Sequence, residues 1–458
     1  MSAMKINQKR WISETGEDNV YRMLLPIVLE LLLTYAIGNL NQIILNRFSR
    51  EAVAATTAAG SFLSLMVIMY SIFYAGQGIL LAACWGRKEF EEGGRIWTVS
   101  LGDSVLLGVL LGAVGVFGSG FVLTCMQVPA ELSAMAREYL MVALGLSVFQ
   151  GLALTFASAF RAIGEMKTVM LGNVLINGSC VFMNGLILVF VPAQRQSICQ
   201  YAFAGIFAQI FGVCFYLKRM LGNEHIRLIP VRENGAKLFR STTGKIVRFG
   251  LFGGMEGVIY LVSQTIVMSM IGKLGTQALM VKGYSGNLFN YLTLPSAAVP
   301  LAAATVIGMS IGMRDEERAQ ECFRKCLRLS VCATLFLCAL ALIWGRPFLG
   351  MYVDDPQMMD ACIRLLLLDI AVELCRCVAA LMVSSLKAIG EVRMPFLMVI
   401  AGSALNVGIS WLLGIRLGGG LPGIWVGYGA DLAFRGFLGL LVWKKHRREH
   451  TYPVWKSV

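Results

Sequence analysis

The sequence predicts an all-α membrane protein: twelve transmembrane helices in two six-helix repeats, related by a pseudo-twofold axis along the membrane normal. Three observations carry this prediction. Of 458 residues, 57% are hydrophobic and only 15% are charged, against roughly a quarter charged in a soluble domain. Apolar runs long enough to span a bilayer recur about twelve times. The motif RAIGEMKT at 161–168 returns as KAIGEVRM at 387–394, an offset of 226. A soluble surface needs more charge than this chain has. Collagen-like, disordered and disulfide-scaffold classes are also excluded, because there is no Gly-X-Y period and polarity is low.

Residues 1–22 are polar and mixed in charge, with no apolar core followed by a small-residue cleavage site, and read as a cytoplasmic N-terminal segment. The spans fall at 23–45, 53–84, 96–120, 134–160, 169–191, 201–217, 247–271, 277–309, 323–345, 359–386, 395–415 and 422–443. They group into an N-terminal six-helix bundle (23–217), a basic cytoplasmic linker (218–246), a C-terminal six-helix bundle (247–443) and a basic cytoplasmic tail (444–458). The net charge of +13 then has a simple origin. With the N-terminus cytoplasmic, most Lys and Arg fall in cytoplasmic connections, as the positive-inside rule expects. Both termini are therefore expected in the cytoplasm, with the chain in the cell membrane and no nucleic-acid partner.

The repeat extends beyond the first motif. The same offset pairs Gly86 with Gly312, NRFSREAVAA at 46–55 with GKLGTQALMV at 272–281, and Glu30 with Glu256. After the fifth helix of each half the offset drops to 218, which pairs AGIFAQ at 204–209 with PGIWVG at 422–427. An even helix count per half makes the repeats parallel, an arrangement that encloses a cavity where alternating access is commonly built.

Together, RAIGE, KAIGE, the Gly-Arg-Lys stretch after span 2, Gly-Lys-Leu-Gly-Thr after span 7 and LPGIWVGYGADLAFRG at 421–436 resemble the signatures of multidrug and toxic compound extrusion (MATE) transporters. The resemblance covers nearly the whole chain, in register and in both halves. It implies membership of the wider exporter superfamily, which includes lipid-linked oligosaccharide flippases, and more sharply of the multidrug branch.

Ionisable residues inside membrane helices are costly and mark functional sites. Asp369, Glu373 and Arg376 are spaced i, i+4, i+7, on one face of span 10. Two carboxylates beside one guanidinium leave one acid incompletely neutralised, so Asp369 and Glu373 are the candidate proton or Na⁺ site. Glu30 and Glu256 are repeat mates early in spans 1 and 7, and read as cavity acids or interfacial residues. Asn177 in span 5 reads as a cavity-lining polar group. Asp431 and Arg435, i and i+4 on span 12, read as a structural ion pair. Lys282, near the outer end of span 8, reads as a side chain that snorkels. The resemblance places Asn41 where the family often carries an Asp in its first helix, and Tyr260 where it carries a Glu in its seventh. Coupling at those positions then falls to Glu256 or to the span-10 cluster.

Competing chemistries lack their residues. The twelve cysteines show no CxxC spacing, and the histidines are His225, His446 and His450, all in connections. There is no P-loop, so no cofactor is expected beyond a proton or Na⁺ as coupling ion. The expected function is secondary active export of organic, cationic compounds by antiport with alternating access, the partners being a small organic substrate and the bilayer, in a monomer. The alternatives are a flippase for lipid-linked oligosaccharide or another amphiphile, and a membrane enzyme, for which no nucleophile–base pair is present.

Overall fold

The computed structural model describes residues 18–48, 50–125, 130–192, 195–222, 235–350, 353, 355–450 and 452–453. The first six expected spans lie in α1 (Asp18–Phe48), α2 (Arg50–Arg87), α3 (Phe90–Cys125), the pair α4 (Ala130–Gly145) and α5 (Val148–Ala162), α6 (Met166–Phe190) and α7 (Ile198–Leu221). The second six lie in α8 (Gly235–Lys273), the pair α9 (Thr276–Leu292) and α10 (Leu294–Gly312), α11 (Glu316–Leu349), α12 (Pro356–Ala388), α13 (Arg393–Ile409) with a π-helical end (Ser410–Arg416), and α14 (Gly420–Glu449). Among the described residues nine helices are long and apolar enough to cross a membrane, or ten with α4 and α5 as one span bent by 52°. The other two, α12 and α14, carry the Asp369–Glu373–Arg376 and Asp431–Arg435 clusters, and those charges lower their apolarity.

Two ends of the bundles are more helical than the sequence suggests. Residues 235–246 of the expected linker open α8, and residues 444–449 of the expected tail continue α14. Residues 1–17 and 223–234, including His225, lie outside the described residues.

The repeat is written in the backbone. Lys88 and Arg314 both take left-handed φ, 63° and 61°, and Gly164 and Gly390 take φ of 87° and 85°. Each ends a helix with the same capping pattern: Glu89 N–H reaches Cys84 O and Asp315 N–H reaches Ser310 O. Likewise Glu165 N–H reaches Phe160 O and Glu391 N–H reaches Leu386 O. This six-residue closure around a left-handed residue satisfies carbonyls that a helix end leaves open. The glycine in RAIGE and KAIGE is there because the turn needs that φ.

Contacts divide the chain into two units, Leu25–Gly254 and Met255–Val458 with Met1–Leu24. In the first, a core of Tyr70, Leu107, Leu111, Leu140 and Leu144 joins α2, α3 and α4. The opening turns of α8 belong to this unit and cross α2 at backbone contact. A Cβ on Gly250 would sit 1.6 Å from Ile72 O, and one on Gly76 would sit 2.0 Å from Ile246 O. In the second unit, Leu365, Leu366, Ile424 and Trp425 centre a core between α12 and α14, joined by Leu288 and Phe289 of α9.

Candidate functional site

Glu30 and Glu256 are buried, and each meets a cation. Arg161 Nη2 donates to Glu30 Oε1 at 2.7 Å, and Asn173 Nδ2 donates to the same oxygen at 2.6 Å. Lys387 Nζ donates to Glu256 Oε2. Both ion pairs are separated by 131 residues, and their members are repeat mates. The cations are the first residues of RAIGE and KAIGE, set beside the acids by the helix ends that those motifs cap. Neither acid is a free negative charge, although Glu30 Oε2 and Glu256 Oε1 are buried without a hydrogen-bond partner.

The span-10 residues share a face of α12 but have different partners. Glu373, 0% exposed, accepts from Arg376 Nε at 2.7 Å. Asp369, 2% exposed, accepts instead from Trp425 Nε1 of α14 at 2.9 Å. The second oxygens of both, Asp369 Oδ2 and Glu373 Oε2, are buried and unpartnered. Arg376 lies near both acids and near Tyr260 of α8. Tyr260 is itself 46% exposed. Beside Trp425, its rings 5.4 Å apart, Tyr428 donates to Gln264 Oε1 of α8 at 2.7 Å. A polar layer thus runs through α8, α12 and α14 inside one apolar unit.

Asp431 and Arg435 pair on consecutive turns of α14, with contacts of 2.5 and 2.6 Å, and Arg435 Nη2 also donates to Ser403 Oγ at 3.2 Å. With all these contacts made, the pair closes on itself. In the first unit Asn41 Oδ1 accepts from Asn184 Nδ2 at 2.6 Å. Asn177 is half-buried on α6 and makes no hydrogen bond among the described residues; Asn173, one turn earlier, is the residue that reaches Glu30. Asp103 accepts from Thr243 Oγ1 at 2.9 and 3.1 Å. This joins α3 to the opening turns of α8.

The MatE family model matches residues 26–188 and 254–412, once in each half. The chain belongs to the MatE family. It is 25% identical over 432 residues to the uncharacterized transporter YisQ of Bacillus subtilis, covering 93% of this chain and 94% of YisQ. It is 21% identical to the probable multidrug resistance protein YoeA of the same organism, over 96% and 98% of the two chains. The fold matches a crystal structure of MATE in the straight conformation with a TM-score of 0.84 at 16% identity, over 94% of this chain and 95% of that one. The chain is thus a multi-pass membrane protein with the MATE fold, and its matches are transporters.

For this MatE protein, sequence reasoning missed the partners more than the acids. Arg161 and Lys387 stood in the quoted motifs. The one available signal was that they differ by the same offset as Glu30 and Glu256. Trp425 had none, because the ring that bonds Asp369 lies on a helix distant in sequence.

Proposed function

We propose that this protein is a secondary active exporter of small organic compounds, with a proton or Na⁺ entering at the Asp369–Glu373 cluster as the coupling ion. The observation that carries this reading is the pair of buried, unpartnered carboxylate oxygens, Asp369 Oδ2 and Glu373 Oε2, on one face of α12. A buried acceptor without a donor costs free energy. A proton on Glu373 or a Na⁺ held by both oxygens removes that cost. Neutralising Glu373 also releases Arg376 from its counter-charge. Ion binding thereby becomes a change of contacts between α12 and its neighbours, which is what antiport requires of a coupling site.

Membership in the MatE family and relatives named as multidrug resistance proteins support organic compounds as cargo. The polar layer around α12 holds two buried acids, Asp369 and Glu373, against the one guanidinium of Arg376, which favours cationic cargo there. One monovalent cation crossing the membrane potential supplies about 2.3 kcal/mol per 100 mV. The protein works in the cell membrane by alternating access, as a monomer with both termini cytoplasmic, and its basic connections support that orientation. The test uses proteoliposomes holding a fluorescent quaternary ammonium dye. An imposed pH or Na⁺ gradient should drive dye movement that ends when the gradient is collapsed. Dye movement indifferent to both gradients would contradict the proposal.

A further inference from the structure

Lys282 lies inside a membrane span and is not paired as Arg376, Lys387 and Arg435 are. Its Nζ meets the thioether sulfur of Met268 at 3.0 Å and makes no ion pair among the described residues. A thioether is a weak acceptor, so the ammonium keeps donors to give. Lys282 lies about 9 Å along α9 from Thr276 at ~1.5 Å per residue. Met268 lies about 8 Å back along α8 from Lys273 by the same rise. The ammonium thus rests on Met268, between the second turn of α9 and the next-to-last turn of α8.

Two cavities open on this face. One of about 540 Å³ is bordered by Gln264, Thr265, Met268, Ser269 and Lys282. The other, of about 310 Å³, shares Thr265 and Ser269 and is bordered by Lys273 and Trp411. The guanidinium of Arg416 lies 5.7 Å over the Trp411 ring. Among the described residues no acid borders either cavity. Tyr428 donates to Gln264 Oε1, which leaves the Gln264 amide hydrogens as donors. Ser269 offers a hydroxyl on the same face, and Met268, Leu279 and Trp411 are apolar walls.

We infer that the Lys282 cavity is an anion-binding site, taking the phosphate or carboxylate of an amphiphile. Lys282 is the counter-charge, Gln264 and Ser269 are hydrogen-bond donors, and the apolar walls hold the tail. A cation in a membrane span without a counter-charge is costly, and an anionic group offsets that cost. The site shares no acid with the Asp369–Glu373 cluster, so it stands whether or not that cluster couples transport.

The test is equilibrium binding to the full-length protein in phosphatidylcholine nanodiscs, with hexyl phosphate and hexyltrimethylammonium as probes. The wild type should prefer hexyl phosphate. Lys282→Gln should weaken hexyl phosphate about tenfold or more, Lys282→Arg should retain it, and both should leave hexyltrimethylammonium unchanged. Ser269→Ala, a smaller change, should weaken hexyl phosphate alone. Nanodiscs containing phosphatidylglycerol separate the sources. If that lipid competes with hexyl phosphate in the wild type and not in Lys282→Gln, the natural anion is a lipid headgroup; if it does not compete, the anion is a diffusible amphiphile. Equal affinity for the two probes, or unchanged hexyl phosphate binding in Lys282→Gln, would overturn the inference.

Discussion

Lys387 neutralises Glu256 in the second half just as Arg161 neutralises Glu30 in the first, and both pairs span 131 residues. The RAIGE and KAIGE motifs thus do two jobs. Their glycine turns the chain, and their leading cation reaches across to a buried acid on the first helix of the same half. Lys387→Met should leave Glu256 as an uncompensated buried charge. Breaking a buried pair from one side costs about 3–5 kcal/mol, and the 28% exposure of the Lys387 side chain places this one toward the lower end. The double variant Glu256→Gln with Lys387→Met should recover most of the loss. Thermal unfolding of the purified protein in detergent measures both.

The α2–α8 crossing makes a sharper packing prediction. Gly250→Ala would drive a methyl into Ile72 O, which is backbone and has nowhere to go, whereas a Cβ on Gly253 would meet Ala75 Cβ at an ordinary 4.0 Å. Overpacking costs about 1–3 kcal/mol. Gly250→Ala should lower the melting temperature, and Gly253→Ala should leave it near that of the wild type.

Much of the architecture was legible because it rests on local signals. Apolar runs such as Met166–Phe190 announce a helix by length, and RAIGE and KAIGE announce the repeat by spelling. Contacts made at a distance were less legible. Asp369, Glu373 and Arg376 were grouped on one face by spacing alone, yet spacing could not show that Asp369 turns to Trp425, 56 residues away. Nor could it show that Asn173, and not Asn177, reaches Glu30. The π-helical turn at Ser410–Arg416 has no counterpart in the first half, where Met166–Phe190 stays α-helical throughout. Similar apolar sequence supports either winding, so tertiary contacts decide.

Acid should loosen the turn at KAIGE. Glu391 lies between α12 and α13, and its carboxyl is held below the usual carboxylate range, first by its hydrogen bond with His446. The backbone N–H groups of Met394 and Arg393 add to this, against the opposing effect of burial. A carboxylate depressed in the folded chain stabilises the fold above its unfolded value, and that contribution fades as pH falls through the folded value. The melting temperatures of wild type and Glu391→Gln should therefore differ above the ordinary Glu value of about 4.3, and converge only as pH falls further, through the lower folded value. A gap that widens toward acid would contradict this assignment.

Trp425 is predicted to matter through its N–H. Trp425→Phe keeps an aromatic ring near Phe289 and Tyr428, but removes the donor to Asp369. Hydrogen bonds to charged groups contribute about 1.5–3 kcal/mol. The variant should lose stability on that scale when Asp369 is ionised, and much less in an Asp369→Asn background. A double-mutant cycle by thermal unfolding reads the coupling.

Glu373 is the residue on which gradient-driven transport should depend most. Its carboxylate is fully buried, gives one oxygen to Arg376 and leaves the other unpartnered. The most direct measurement is gradient-driven dye efflux from proteoliposomes containing wild type, Glu373→Gln or Glu373→Asp at matched protein content. Glu373→Gln should insert and fold but lose gradient-driven efflux, while Glu373→Asp, which keeps an ionisable group, should retain part of it. Efflux by Glu373→Gln at the wild-type rate, with the same dependence on the gradient, would contradict it.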